Sequence, residues 1–237
     1  MGTILWDFDG TLARRPGMWS GAMIEALSVT AGYHDVERTA LVPHLESGFP
    51  WHNPGAVHVD IQRADEWWNR LYPTLEHAYR AVGVEPAVAR RAARGVRETY
   101  LDPEHWEVYP DVRETLSALE ERGYRHQVLS NHVPELPALA SALELAAPFD
   151  GIWTSGRTGY EKPHPAAFEH VLERVATPGP VWMIGDSYES DVQGANRVGL
   201  PAILVRSSDE RARYACEDLE CVARLVERTD PGSEDPE

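Results

Sequence analysis

The sequence predicts an α/β fold, a parallel sheet doubly wound with helices and carrying a helical insertion. Three observations lead there: short runs apolar on both faces, helical-length segments between them, and one long interval with helical periodicity and no convincing strand. Thr3–Phe8 is the first apolar run, nearly uniform in hydrophobicity, as a strand covered on both sides must be. The interval from Arg15 to Glu107 follows, with helical stretches near Met18–Thr30, Val36–Leu45, Asp60–Ala81 and Pro86–Tyr100. It holds five of the eight tryptophans (Trp19, Trp51, Trp67, Trp68 and Trp106), which helix packing would bury. Beyond it the alternation resumes. A helix over Asp111–Arg122 stops at Gly123. Strands are expected at Gln127–Ser130, Gly151–Thr154, Val181–Ile184 and Pro201–Val205, with helices at Leu136–Leu145, Pro165–Val175 and Glu189–Val198 between them. The expected division is an α/β core from residues 1–14 and 108–237 and a helical domain from 15–107, with an acidic, frayed tail over Glu227–Glu237.

Composition narrows the classes. With 237 residues the chain can bury a full core, and 43% hydrophobic with 25% charged residues set it apart from disordered, collagen-like and disulfide-scaffold chains. Its 38 acidic against 22 basic residues give a net charge of −16, which repels phosphate backbones and anionic bilayers. Neither nucleic acid nor membrane is an expected partner. The longest stretch without charge, Ser47–Val59, contains Pro, Asn and His and falls short of the ~18 apolar residues of a membrane span. The first residues lack a basic n-region, and Trp6 stands where a myristoylation signal needs Ser or Thr, so no export or lipid anchor is expected. Cys216 and Cys221, placed on one helix, would point about 140° apart, and a reduced cytoplasmic chain is expected. Oligomeric state leaves no mark in the sequence.

Residues able to carry chemistry gather at strand ends. Asp7-Phe8-Asp9-Gly10-Thr11 runs a buried strand straight into two carboxylates. In extended backbone i and i+2 share a face, so Asp7 and Asp9 project together at the carboxyl edge of the sheet, where open α/β sheets bind ligands. Two such acids divide naturally into nucleophile and proton donor, although Asp-Gly is also an ordinary turn pair. Val181–Ile184 leads likewise into Gly185, Asp186 and Asp191; Asp186 with Glu189 would equally suit a helix cap and capping box. With both strand ends side by side, Asp7, Asp9, Asp186 and Asp191 pool negative charge that calls for a hard cation, and Mg2+ is the expected cofactor. Ser130 and Asn131 close another strand with groups suited to phosphate oxygens, or with an ordinary turn. Lys162-Pro163 contains the single lysine of a chain with 21 arginines, which points to a position needing a compact point charge.

In order and spacing, Asp7-x-Asp9-Gly-Thr11, Ser130-Asn131, Lys162-Pro163 and Gly185-Asp186-x4-Asp191 resemble the four motifs of the haloacid dehalogenase-like (HAD) hydrolase superfamily. The helical interval looks like that family's cap domain. The resemblance implies a Rossmann-like core with a mobile helical lid, and a Mg2+-dependent phosphomonoester hydrolase acting on a small phosphorylated metabolite. It implies that Asp7 attacks phosphorus and becomes an aspartyl phosphate, and that Asp9 protonates the leaving oxygen and then activates water. Thr11, Ser130 and Asn131 would hold phosphoryl oxygens, while Lys162 offsets charge on Asp7 and the transferring group. Asp186 would bind Mg2+ with the Asp7 carboxylate and the Asp9 main-chain carbonyl, and Asp191 would support the metal. A dehalogenase of this superfamily would need neither Mg2+ nor the second acid, and a phosphonatase would need a cap lysine, which this chain lacks. A sugar phosphate mutase and a non-enzymatic phospho-aspartate switch stay as alternatives. Trp19, Trp51, His52, His132 and Arg157 are the candidates for touching the leaving group.

Overall fold

Thr3–Trp6 (β1) buries all four of its side chains, which only a strand in mid-sheet can do. The computed structural model describes residues 2–32, 34–61, 63–175 and 179–229. After β1 the chain forms a two-residue strand, β2 (Ala13–Arg14), and enters the insertion: α1 (Met18–Ala31), α2 (Arg38–Leu41), α3 (Ala64–Ala81) and α4 (Pro86–Leu101). It returns through β3 (Glu107–Val108), antiparallel to β2. Strands and helices then alternate: α5 (Val112–Glu121), β4 (Arg125–Ser130), α6 (Leu136–Ala142), β5 (Phe149–Thr154), α7 (Ser155–Thr158), α8 (Pro165–Leu172), β6 (Val181–Gly185), α9 (Gly194–Arg197), β7 (Ala202–Val205), β8 (Ala215–Cys216) and α10 (Leu219–Thr229). Six strands form one parallel sheet in the order β5-β4-β1-β6-β7-β8. The expected α/β class is the observed one, and β1 lies between β4 and β6 with Trp6 level with Val128 and Ile184.

Alternation along β1 feeds two cores. Ile4 and Trp6 pack with Leu116 and Leu119 of α5 and Val222 and Val226 of α10. Leu5 faces the other way, into a cluster with Phe168 and Val171 of α8, Met183 and Leu204. Each such burial contributes roughly 1.5–3 kcal/mol, which is what holds the helical layers on the sheet. In the insertion, Trp67, Trp68, Leu71, Leu75, Ala78 and Tyr79 recur at helical spacing along α3 and are buried. Helix α4 begins where Glu85 accepts from the Ala87 and Val88 N–H groups ahead of Pro86. Its buried face is mostly alanine (Ala89, Ala92, Ala93), and that face meets the equally small Ala22 and Ala26 of α1.

Several expectations need correction, each for a local reason. The first strand stops at Trp6 rather than Phe8, because the chain turns at Gly10, whose φ is +77°. Strands β2, β3 and β8 went unforeseen; two residues carry no periodicity. Val36–Leu45 is not one helix: α2 passes into a 3-10 turn at Val42–Leu45, where Pro43 has no N–H to donate. Glu189–Val198 opens as a π-helical turn, Tyr188–Gln193, ahead of α9. Glu227–Thr229, expected to fray, form the last turn of α10, and the rest of the expected tail lies outside the described residues. Cys216 ends β8 while Cys221 sits in α10, so the two do not share a helix; their Cα atoms are 5.6 Å apart and the sulfurs are bonded. The expectation that both lie on one helix, pointing about 140° apart, is therefore wrong. Among the described residues no helix is long and apolar enough to cross a membrane.

One buried polar pair ties β1 to β4. Trp6 Nε1 donates to His126 Nδ1 at 3.1 Å, and His126 Nε2 donates to the Leu116 carbonyl at 3.1 Å. Both ring nitrogens serve the neutral imidazole, and burial holds His126 below its ordinary value. A histidine depressed in the folded state contributes stability present above its unfolded pKa and lost as pH falls below it. Trp6→Phe should destabilise by about 1–3 kcal/mol at pH 7.5, since it strands a buried acceptor. The penalty should shrink at pH 5.5, because the variant leaves Nδ1 open to a proton. Urea midpoints at the two pH values check this, and a penalty that grows on acidification contradicts it.

Candidate active site

The parallel register of β4, β1 and β6 brings their carboxyl ends to one edge, so Ser130, Asp7 and Asp186 arrive there from segments far apart in sequence. Asp7 follows β1 directly and its N–H still donates to the Ile184 carbonyl, at 2.8 Å. Lys162 reaches the same edge from the loop ahead of α8. Asn131 holds it there by two bonds, donating from Nδ2 to the Lys162 carbonyl at 2.8 Å and accepting the Lys162 N–H at 2.7 Å. The Lys162 ammonium then lies 2.8 Å from Asp7 Oδ1 and 2.6 Å from Asp191 Oδ1. All three side chains are buried.

Asp7, Asp186 and Asp191 each offer a carboxylate oxygen within 4.8 Å of the others. Two glycines make that crowding sterically feasible. A Cβ on Gly10 would collide with Asp186 Oδ2, and one on Gly185 would collide with Asp191 Oδ2. Asp191 Oδ2 also accepts the Ser187 N–H at 3.0 Å. The cap of the following turn is Ser187, whose hydroxyl accepts from the Ser190 N–H, so Asp186 belongs to the acidic cluster and not to a capping box. Asp9 stands apart from the three. Its Oδ1 is buried without a hydrogen-bond partner, 3.8 Å from His132 Nε2, and the residue lines a cavity of about 350 Å³ with Met18, Trp19, Trp51, Asn131 and Ser190.

The charges are far from those of free side chains. Burial, then Asp7 and Asp186, hold the Asp9 carboxyl well above the ordinary range, with Lys162 as a partial offset. Asp186 is pushed up by burial and then by Asp7 and Asp191. Burial also raises Asp191, against the pull of Lys162. Burial by itself would depress Lys162, but Asp191 and Asp7 outweigh it and hold the ammonium above its ordinary value. Three like-charged hard oxygen donors within one shell, beside an unpartnered buried carboxyl oxygen, suit a small divalent cation that takes carboxylates.

The remaining expected residues divide. Ser130 is buried at the end of β4, and Thr11 is fully buried with Oγ1 unpartnered and its carbonyl accepting from Arg206 Nε. Both side-chain polar groups of Asn131 are committed to the Lys162 backbone, which leaves only its main chain for a ligand. Trp19 and Trp51 do face the cavity beside Asp9. His132 does not: it is enclosed by Phe8, Tyr100 and Trp106, and burial lowers it to about 4. His52 lines a separate apolar cavity of about 390 Å³ with Phe49 and Trp67, and Arg157 spends its Nε on the Pro134 carbonyl. Sequence reasoning missed Met18, the first residue of α1, and Ser190, in the π-helical turn, neither of which belongs to a motif, and Glu161, buried beside Lys162 with Oε2 unpartnered and its carboxyl pushed up by burial to about 7.

A family model described as haloacid dehalogenase-like hydrolase matches residues 1–199. The chain is 29% identical over 221 residues to haloacid dehalogenase-like hydrolase domain-containing protein 3 of Mus musculus, covering 88% of this chain and 83% of that protein. It is 28% identical over 218 residues to a phosphoglycolate phosphatase of Pseudomonas syringae pv. tomato, covering 91% and 73%. Among solved structures, a HAD-superfamily hydrolase of subfamily IA, variant 1, from Geobacter sulfurreducens superposes with a TM-score of 0.68 at 19% identity, covering 95% of this chain and 96% of that one. A parallel sheet with acids and a buried lysine at its carboxyl edge, matched by a family model over most of its length, places this chain in the haloacid dehalogenase-like hydrolase family, as an enzyme of the hydrolase class.

Proposed function

We propose that the chain is a Mg2+-dependent phosphomonoester hydrolase that acts on a small phosphorylated metabolite through a phospho-Asp7 intermediate. The observation that carries this reading is the Lys162 ammonium between Asp7 and Asp191, with Asp186 in the same group of carboxylates. Lys162 engages Asp7 through Oδ1, so Oδ2 is the oxygen assigned to attack on phosphorus. Asp9, which its surroundings favour in the protonated form, gives its proton to the departing alkoxide as the ester P–O bond breaks. The resulting Asp9 carboxylate then takes a proton from water, which attacks phosphorus, breaks the bond to Asp7 and releases inorganic phosphate. Ser130 Oγ, the Asn131 main-chain N–H and Thr11 Oγ1 are assigned to phosphoryl oxygens. Asp7, Asp186 and Asp191, with the Asp9 main-chain carbonyl, would hold Mg2+, which when bound offsets the negative charge of the carboxylates and the transferring group.

Residues 15–107 are assigned as the lid over a core made of 1–14 and 108–237. Met18, Trp19 and Trp51 come from this insertion and share the cavity with Asp9 and Asn131 of the core, which puts the insertion on the side of the leaving group.

Phosphate release from an aryl phosphate should require Mg2+ and stop on chelation. Asp7→Asn should lower kcat by about 10³ or more, and Asp9→Asn by about 10²–10⁴. Stable phosphorylation of Asp7 without phosphate release would replace the hydrolase by a switch. A second expectation concerns stability. Asp186 is pushed up to about 7, and a carboxyl raised in the folded state gives stability present below its unfolded value and lost as pH rises through the folded one. In chelator at pH 7.5, Asp186→Asn should therefore stabilise the protein by about 1–2 kcal/mol, with a smaller gain at pH 5. Saturating Mg2+ should stabilise the natural chain more than the variant. Urea unfolding under the three conditions checks the sign, and a variant less stable in chelator contradicts the repulsion argument.

A further inference from the structure

The cavity beside Asp9 has a chemistry of its own. Among its six lining residues, Asp9, Met18, Trp19, Trp51, Asn131 and Ser190, none is cationic. Lys162 is buried and engaged with Asp7 and Asp191, and Arg15, on the loop leading to Met18, has its guanidinium buried and paired with Glu25. The floor is acidic. Once a phosphoryl group occupies the acidic edge, a second anionic group on the leaving alcohol would find no cation in this lining, only the Asp9 carboxyl, two indoles, Met18 and the uncharged Asn131 and Ser190. An unpaired charge taken into such surroundings is strongly disfavoured.

The apolar wall is built before any ligand arrives. Trp19 stacks on Tyr100 at 4.1 Å and 13°, and packs against Phe49 at 4.8 Å and Trp68 at 5.9 Å. Trp51 stacks on Phe49 at 4.7 Å and 24°, so both indoles are held from behind. A flat surface fixed in this way loses little side-chain freedom when a ring packs on it. Met18 completes the wall with φ at +43°, a left-handed conformation that is unfavourable for a side chain of its kind and is retained beside this cavity.

We infer that the site selects phosphomonoesters of an uncharged, ring-bearing alcohol and disfavours those whose leaving group carries a second anion, with Trp51 as a specificity-determining residue. The inference rests on the phosphatase reading above and departs from the substrate in the name of the Pseudomonas relative, whose leaving alcohol carries a carboxylate.

Benzyl phosphate and 2-phosphoglycolate share the same CH2–O–P centre and differ in what lies beyond it, so they make a fair pair for the Mg2+-loaded enzyme. The natural chain should favour benzyl phosphate in kcat/KM by about tenfold or more. Trp51→Ala should lower that value by about tenfold and lower the value for 2-phosphoglycolate clearly less, so that the preference shrinks, Trp51→Phe should keep most of it, and Trp51→Arg should raise the value for 2-phosphoglycolate. Equal or reversed preference in the natural chain, or an equal loss on both substrates in Trp51→Ala, overturns the inference and leaves the hydrolase reading intact. Where no phosphomonoester is turned over, thermal shifts with benzylphosphonate and phosphonoacetate decide. A larger shift with benzylphosphonate upholds the selectivity while the hydrolase reading falls. Equal shifts, or none, overturn both.

Discussion

The site depends on one buried ammonium held between two carboxylates. Without Lys162, Asp7, Asp186 and Asp191 would offer oxygens within 4.8 Å of one another with no protein cation among them, a crowding of like groups that burial makes costly. With it, Asp7 and Asp191 are pinned in position, and the ammonium stays charged because their attraction exceeds the cost of its burial. The space is small, since Gly10 and Gly185 leave no room even for a methyl group beside these carboxylates. A compact ammonium fits such a space better than a planar guanidinium, a physical reason for the one lysine in an arginine-rich chain.

That arrangement opposes folding locally, as functional sites commonly do. Three carboxylates are raised by burial and mutual repulsion, and a non-glycine residue is held at positive φ. The surroundings over-determine it. Trp6, Ile4 and Leu5 anchor β1 in two separate cores, so Asp7 leaves a strand that cannot shift register without turning each buried side chain to the wrong face. Asn131 performs the same service for Lys162 by binding both its N–H and its carbonyl.

The aromatic residues of the insertion have two kinds of work. Trp67 and Trp68 are buried at helical spacing along α3, as packing predicts, and Trp68 also donates through Nε1 to Glu135 of the core. Trp19 and Trp51 pack with one side and line the Asp9 cavity with another. His132 illustrates the reverse outcome. Its place after Ser130-Asn131 suggested a ligand contact, but the chain turns it under Tyr100 and Trp106, where burial keeps it neutral.

What the residues determined alone was the order of the parts. Uniformly apolar runs mark strands that must be covered on both faces, carboxylates follow the ends of Thr3–Phe8 and Val181–Ile184, where open sheets bind ligands, and the long interval without strand patterning after the first strand corresponds to the helices α1 to α4. These features are local, since side-chain periodicity and turn chemistry act within a few residues. Tertiary structure decided the rest, because it turns on distances between segments far apart in the chain. It grouped Asp7 with Asp186 and Asp191 while leaving Asp9 beside the tryptophans, turned the Asn131 side chain from a ligand onto the Lys162 backbone, and brought Cys216 to Cys221 across a turn between strand and helix. Burial and charge proximity exist only once the sheet has closed those gaps, and a list of residues carries neither.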